Sequence, residues 1–192
     1  MNAVSPLADV TAIVLAGGRA TRLGGVDKGL QPLHGQPLVE HVLARLQTQV
    51  GTVLINCNRS HDQYACYGLP LIPDRLPDFP GPLAGVHAGM HACRTSWLLT
   101  VPCDSPYLPQ DLCARFIAQI EDAPAIFAST PEAQPVFALY RPTLLPKLEQ
   151  FLAGGEGGVG RWLSLIGARS ADFSDCPDAF RNFNAADDWS GC

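Results

Sequence analysis

The sequence lacks closely spaced cysteines, long apolar runs and basic clusters. No two of its seven cysteines lie closer than nine residues, so CxxC metal or redox pairs are absent. An odd, scattered set of this kind is typical of free thiols in a reducing compartment. No apolar run reaches the roughly 18 residues of a membrane span, and the first ten residues do not resemble a secretory signal. These absences predict a cytoplasmic protein that does not enter a membrane.

Positive charge is also scarce. Thirteen Lys and Arg face eighteen Asp and Glu, which gives a net charge of −5 and a pI near 5.4. This balance argues against nucleic acid or an anionic membrane as the main partner. A small anionic substrate remains compatible, because local positive charge can line a cleft. With 192 residues and 47% hydrophobic content, the chain is expected to form one domain over residues 1–192.

Apolar runs alternate with helix-period segments along the chain, which predicts an α/β fold with βαβ units and a mostly parallel sheet. Strands are predicted at Val10–Ala16, Thr52–Asn56, Leu69–Ile72, Trp97–Val101, Ala125–Ala128 and Pro135–Tyr140. Helices are predicted at Pro37–Gln49, Leu83–Arg94, Pro109–Gln119 and Pro142–Ala153. In such sheets the ligand lies beyond the carboxyl ends of the strands, so functional residues should follow strands directly.

The segment VTAIVLAGGRATRLGGVDKGLQPL, residues 10–33, starts as a strand and continues as a glycine-rich loop. Glycine lets the backbone approach a ligand closely, and successive N–H groups in such a loop form an anion-binding concavity. The loop combines four glycines with three cations: Gly17, Gly18, Gly24, Gly25, Arg19, Arg22 and Lys28. It fits neither GxxxxGK[ST] nor GxGxxG. A triphosphate site is favoured, with a simple tight turn as the alternative.

Three further polar residues follow predicted strands. Asp104, in LLTVPCDSPYLP, offers a hard carboxylate that suits Mg²⁺, although it could instead cap a following helix. Asn56 ends the strand before CNRS, and Asp74 follows LIP. Amide and carboxylate groups at these positions can read a base or a ribose, and the alternative for both is ordinary turn chemistry.

Several segments together resemble one family. LAGGRATRLGGVDKGL resembles the signature L-A-G-G-x-x-x-R-[ML]-G-x-x-D-K of the molybdenum cofactor guanylyltransferase family. Similar matches occur at NCNR (56–59), GPLAG (81–85), PCDSPYL (102–108), QPVFALY (134–140) and NFN (182–184). The resemblance therefore extends from about Ala12 to Asn184.

The resemblance implies a doubly wound, Rossmann-like three-layer sandwich of the nucleotidyltransferase type. It implies transfer of GMP from GTP to the terminal phosphate of Mo-molybdopterin, with Mg²⁺ as cofactor and pyrophosphate as the second product. The N-terminal part would bind the nucleotide and the C-terminal part would face the pterin. Transient contacts with molybdenum-insertion and molybdoenzyme-chaperone proteins are also implied.

The resemblance also implies roles for individual residues. The nucleotide would be bound by Leu15, Ala16, Gly17, Gly18, Lys28, Asn56, Asp74 and Asp104. Lys28, Arg22 and Asp104 would be catalytic, with the two cations on phosphate and Asp104 on the metal. Asn182 and Asn184 would lie near the metal and the second substrate.

Three alternative functions remain open at this point. A molybdopterin cytidylyltransferase usually has L-A-A-G where this chain has L-A-G-G, so guanine is favoured. A sugar-phosphate nucleotidyltransferase shares the loop type but fits the later motifs less well. A non-catalytic nucleotide-binding or pterin-binding module would not need both Lys28 and Asp104.

Three other signals are interpreted as structural. Gly155–Gly160 satisfies GxGxxG but follows a helical segment, so the whole of residues 154–162 is predicted to be a mobile loop. His87 and His91 have metal-ligand spacing, but the sequence shows no third ligand, so a helix surface or core position is favoured. Cys103 is expected to be a buried thiol.

Overall fold

The computed structural model describes residues 7–17, 27–76 and 81–183. The strands in these ranges are β1 (Leu7–Leu15), β2 (Pro32–Leu33), β3 (Gln36–Pro37), β4 (Val50–Asn56), β5 (Leu71–Ile72), β6 (Trp97–Pro102), β7 (Ala125–Ser129), β8 (Ala133–Tyr140) and β9 (Arg169–Asp172). The α-helices are α1 (Leu38–Leu46), α2 (His61–Ala65), α3 (Pro82–Ala92), α4 (Leu112–Gln119), α5 (Leu145–Ala153) and α6 (Val159–Ile166). All ten predicted elements are present, with ends within three residues of the predicted ones.

Seven strands form one sheet in the order β5-β4-β1-β6-β8-β7-β9. Only β8 runs antiparallel to its neighbours in this sheet, so the prediction of a mostly parallel sheet is confirmed. β2 and β3 form a separate small hairpin. From β1 the chain goes to β4 on one side and later returns to β6 on the other, so the strand order reverses at β1. This reversal is where an open α/β sheet forms its ligand crevice.

Helices cover both faces of the sheet and make it a three-layer sandwich. Alternate residues of β1 point to opposite faces: Val14 joins the apolar cluster that contains α1 and α4. Ile13 joins the cluster that contains α3, α5 and α6. The doubly wound α/β architecture is thereby confirmed. Among the described residues, no helix is long and apolar enough to cross a membrane.

The predicted mobile loop at residues 154–162 is wrong for its second half, because α6 begins at Val159. Gly158, with φ of 92°, leads into the helix, and Gly167, with φ of 70°, ends it. Four apolar side chains recur at helical spacing and are buried: Val159, Trp162, Leu163 and Ile166. Burial of this apolar face outweighs the low helix propensity of the neighbouring glycines.

Candidate functional site

The carboxyl ends of three neighbouring strands meet at one level of the sheet. Leu15, the last residue of β1, is in register with Asn56 of β4 on one side and with Pro102 of β6 on the other. The backbone N–H of Ala16 donates to the Asn56 carbonyl at 2.9 Å, and the Cys103 N–H donates to the Leu15 carbonyl at 3.2 Å. The segments that follow β1, β4 and β6 therefore begin next to one another at the carboxyl edge of the sheet.

Lys28 and Asp104 form an ion pair in this crevice. The Lys28 Nζ donates to Asp104 Oδ2 at 3.3 Å. The carboxylate is mostly buried, with 12% of its side chain exposed, whereas 38% of the Lys28 side chain is exposed. Asp104 does not cap a helix, because α4 starts only at Leu112 with Asp111 at its N-cap. The capping alternative is therefore wrong.

The electrostatics of Asp104 fit a divalent cation. Burial raises the pKa of Asp104 above its ordinary value, and the neighbouring Lys28 cation only partly opposes this rise. The site therefore holds a buried negative charge that one lysine does not fully stabilise. A hard oxygen ligand in that condition suits Mg²⁺, which usually takes one or two carboxylates together with substrate phosphates.

A second cluster joins the ends of β1, β4 and β5. Asp74 accepts hydrogen bonds from the side-chain amides of Asn56, at 2.8 Å, and Asn58, at 2.6 Å. The Asp74 backbone N–H donates to the Asn58 side-chain oxygen at 2.8 Å. Asn58 also donates to the Gly17 carbonyl at 3.1 Å, which ties the cluster to the start of the glycine-rich loop. Asn58 was not predicted as a site residue, although it is the second Asn of the NCNR match.

Two glycines in contact with this cluster leave no room for a side chain. A Cβ on Gly17 would lie 2.8 Å from Asn56 Oδ1 and 2.9 Å from Asn58 Nδ2. A Cβ on Gly85, at the start of α3, would overlap the side chains of Asn56 and Leu15. The sequence predicts that the backbone at Gly17 approaches a ligand closely. In the structure, the groups that lie against Gly17 are the side chains of Asn56 and Asn58.

Asp27, which sequence reasoning left without a role, anchors the segment that carries Lys28. The Tyr64 hydroxyl donates to Asp27 Oδ1 at 2.7 Å, and Arg59 Nε lies 3.8 Å from Asp27 Oδ2. A 3-10 turn at Lys28–Leu30 follows directly. Its central residue, Gly29, lies against Tyr64 and Cys103, where a Cβ would be 2.6 Å from the tyrosine oxygen.

Residues 182 and 183, near the end of the described chain, contact Asp104 and Ser105. The Phe183 N–H donates to the Asp104 carbonyl at 2.9 Å, and the hydroxyl of Ser105 donates to Asn182 Oδ1 at 2.6 Å. Asn182 therefore contacts the residue that follows Asp104. Cys103 is buried as predicted, and burial raises the pKa of its thiol.

Six residues that the sequence linked to the site lie outside the described ranges: Gly18, Arg19, Arg22, Gly24, Gly25 and Asn184. The structure brings together Lys28 with Asp104, and Asn56 with Asp74, while Leu15, Ala16 and Gly17 lead into the crevice between them. His87 is buried and His91 is partly buried on α3, in agreement with the predicted helix core or surface positions, and Glu149 of α5 lies beside both.

Sequence and structure comparisons relate the chain to known proteins. Residues 12–171 match the family model of the MobA-like NTP transferase domain. The chain is 46% identical over 187 residues to the molybdenum cofactor guanylyltransferase of Polynucleobacter asymbioticus, covering 94% of each chain. It is 44% identical over 178 residues to the protein of the same name from Vibrio cholerae, covering 92% of this chain and 87% of that protein.

A solved structure with the same fold is the molybdopterin-guanine dinucleotide biosynthesis protein A from Archaeoglobus fulgidus. It superposes with a TM-score of 0.75 at 20% identity, covering 93% of this chain and 94% of that one. The family resemblance drawn from the sequence motifs is thereby confirmed. With the family model matching over most of its length, this chain belongs to the MobA-like NTP transferase family.

Proposed function

We propose that this chain transfers GMP from GTP to the terminal phosphate of Mo-molybdopterin, releasing pyrophosphate and forming molybdopterin guanine dinucleotide. Family membership and the names of relatives at 42–47% identity support this function. The structural observation that carries it is the Lys28–Asp104 pair beside the crevice at β1. A lysine for phosphate and a carboxylate for a divalent metal are the two groups that nucleotidyl transfer requires.

The reaction needs alignment and charge stabilisation more than proton transfer. An oxygen of the pterin phosphate forms a bond to the α-phosphorus of GTP, and the bond from that phosphorus to the bridging oxygen of the β-phosphate breaks. The attacking group is a phosphate monoester with a second pKa of about 6, so it is largely ionised at neutral pH. No general base is required, which agrees with the absence of a His–carboxylate dyad around Asp104 among the described residues.

Individual residues divide this task. Lys28 stabilises the negative charge on the leaving pyrophosphate, and Arg22 is proposed to assist it. Leu15, Ala16, Gly17 and Gly18 would surround the nucleotide where β1 ends. These assignments put the phosphates between the glycine-rich loop and the end of β6, where charge is most effectively stabilised by fixed groups.

Asn56 and Asp74 would bind the guanine or ribose end of the nucleotide. Guanine presents N–H donors at N1 and N2, for which carboxylate and amide oxygens are suitable acceptors. A carboxylate can accept about four hydrogen bonds, so Asp74 keeps acceptor capacity beyond its bonds to Asn56 and Asn58.

Asp104 would hold Mg²⁺, which supplies charge neutralisation for the phosphate oxygens when it is bound. Asn182 and Asn184 are proposed to lie near the metal and the pterin. We further propose a cytoplasmic enzyme with one domain over residues 1–192. Its proposed protein partners are molybdenum-insertion proteins and molybdoenzyme chaperones.

The direct test supplies the purified chain with Mo-molybdopterin, Mg²⁺ and one nucleotide at a time from GTP, CTP, ATP and UTP. Pyrophosphate release and the dinucleotide product are measured together. We expect both only with GTP, and loss of both in Lys28→Ala. A preference for CTP would assign the cytidylyl activity instead. No turnover with any nucleotide, while GTP still binds, would indicate a non-catalytic binding module.

A further inference from the structure

Two histidines of α3 and one glutamate of α5 converge between these two helices. The Nε2 atoms of His87 and His91 lie 3.3 Å and 3.2 Å from the same oxygen, Glu149 Oε1. One ligand atom from each side chain lies within 4.8 Å of the other two. The histidines are four positions apart, so both face the same side of the helix.

The distances agree with those of a tetrahedral metal site. Zn²⁺ bonds to nitrogen and oxygen are about 2.0–2.1 Å long, so the ligand atoms around it are roughly 3.3 Å apart. The two His–Glu distances match that separation. Two imidazoles and one carboxylate, with a fourth position left for water, form a recognised zinc ligand set.

The two imidazole rings are in edge-to-face contact. Their centroids lie 4.7 Å apart with the planes at 75°. Burial lowers the pKa of His87, although its hydrogen bond to Glu149 opposes this shift.

The orientation of the His87 ring also places its Nε2 atom beside Glu149. Its side chain is 4% exposed, and among the described residues its Nδ1 atom is buried without a hydrogen-bond partner. Within the described ranges, Nε2 is therefore the ring nitrogen of His87 that has a polar partner, and it faces Glu149. His91 and Glu149 are 30% and 49% exposed, which leaves an entry path from solvent.

We propose that His87, His91 and Glu149 form a second metal site, which takes a borderline divalent ion such as Zn²⁺ and links α3 to α5. The ligand chemistry separates it from the hard oxygen site at Asp104, because imidazole nitrogen favours Zn²⁺, Co²⁺ or Ni²⁺ over Mg²⁺. The proposal does not depend on the nucleotidyl transfer activity.

The bound ion would stabilise the position of α3, which packs against the cluster of Asn56, Asn58 and Asp74. α3 begins at Pro82, and its Gly85 packs directly against Asn56. Fixing α3 to α5 at His87 and His91 stabilises the position of that glycine. The expected role is therefore structural support of the crevice.

The test uses the full chain, stripped of metal with a chelator and then kept in excess Mg²⁺ without nucleotide. Mg²⁺ satisfies Asp104 without competing for imidazole. Co²⁺ is added while its visible d–d bands are recorded, and Zn²⁺ is titrated by calorimetry. We expect one ion per chain, the intense bands of a tetrahedral site, and a rise in Tm with Zn²⁺.

His91→Ala and Glu149→Gln are the deciding variants, because both side chains are partly exposed and their loss should not prevent folding. We expect each to weaken Co²⁺ and Zn²⁺ binding at least tenfold. The matched controls are His61→Ala, which removes an exposed histidine on α2, and Asp104→Asn; both should bind as the unchanged chain does.

Thiol ligation is tested separately with Cys66→Ser, since Cys66 is an exposed free cysteine. Normal Co²⁺ binding by this variant, without thiolate charge-transfer bands, supports the imidazole site. The proposal is overturned if Zn²⁺ and Co²⁺ fail to bind at one equivalent, or if His91→Ala and Glu149→Gln bind them with unchanged affinity.

Discussion

Lys28 and Asp104 are separated by 76 positions in the chain, yet their charged groups lie 3.3 Å apart at the carboxyl edge of the sheet. Lys28 follows the glycine-rich loop after β1, and Asp104 follows β6, which is the parallel neighbour of β1. The pairing of these two strands places Asp104 beside the end of β1, and the hydrogen bond from Tyr64 to Asp27 holds the segment that carries Lys28. Predictions about catalysis, pH and stability follow from this pair and its surroundings.

Replacing Asp104 should separate catalysis from stability. In Asp104→Asn we expect turnover at saturating Mg²⁺ to fall by about 10²- to 10³-fold, as when one charge-stabilising group is lost, with a smaller effect on GTP binding. Burial raises the pKa of Asp104, so its ionised form is disfavoured in the folded state. The ionised carboxylate therefore destabilises the folded protein, and this destabilisation appears as pH rises through the folded pKa. Tm at pH 7 should therefore be unchanged or higher.

Pyrophosphate release and thermal unfolding check this prediction, with Asp122→Asn as an exposed control on both. Any Tm gain in Asp104→Asn should disappear at low pH, where the native carboxyl is neutral. Near-normal turnover in Asp104→Asn would reject the metal assignment.

The Lys28 cation should set the pH range in which Asp104 binds metal. Lys28 lowers the pKa of Asp104 against the effect of burial, so Lys28→Met should raise that pKa further. Because metal binding requires the ionised carboxylate, the acidic limb of Mn²⁺ affinity should move to higher pH in Lys28→Met. Calorimetric titration across a pH series measures the shift, and Lys147→Met on the exposed side of α5 should leave the profile unchanged. Identical limbs in both variants would show that the pair does not act electrostatically.

Asp74 should affect the nucleotide through the asparagines that it holds. Both of its oxygens accept hydrogen bonds from side-chain amides. In Asp74→Asn one of these oxygens becomes an amide nitrogen, which cannot accept a hydrogen bond, so the positions of Asn56 and Asn58 are disturbed. One lost charged hydrogen bond is about 1.5–3 kcal/mol, so GTP affinity should fall by roughly 10- to 100-fold.

A comparison of GTP with ITP, which lacks the 2-amino group, identifies the contact. We expect Asp74→Asn to weaken both nucleotides by similar factors, as fits a ribose contact or a positioning role. If the difference between GTP and ITP disappears in the variant, Asp74 instead contacts the guanine amine.

Two glycine-to-alanine changes should have opposite effects. Gly17→Ala forces a methyl group into Asn56 and Asn58, and the overpacking should destabilise the fold by about 1–3 kcal/mol and weaken GTP binding. Gly160→Ala, in the first turn of α6, meets no atom within 4 Å and should stabilise by about 0.5 kcal/mol. Denaturant unfolding and GTP titration measure both changes. Equal behaviour of the two variants would contradict the packing account of Gly17.

The parts of the site that sequence reasoning found are those that follow strongly apolar strands. Asn56 ends β4, Asp74 and Asp104 closely follow β5 and β6, and Lys28 follows the glycine-rich loop after β1. The geometry of parallel sheets places the ends of these strands at one edge. The resemblance to a family supplied their roles.

The parts that were missed depend on contacts between distant segments. Tyr64 reaches Asp27 over 37 positions and Glu149 reaches His87 over 62, and no local pattern encodes either pairing. α6 did carry a local signal in its apolar spacing, which the nearby glycines obscured. β9 was not predicted, because Ala171 is its only buried residue and its sequence therefore lacks the alternation of a half-buried strand.

The hydrogen bonds from Phe183 to Asp104 and from Ser105 to Asn182 have a consequence for biosynthesis. Both contacts join the surroundings of Asp104 to residues that are translated about eighty codons later. While the ribosome still holds this late segment, β1, β4 and β6 can already pair, but the surroundings of Asp104 are incomplete. We therefore expect the proposed activity to appear only after residues 182 and 183 have emerged from the ribosome.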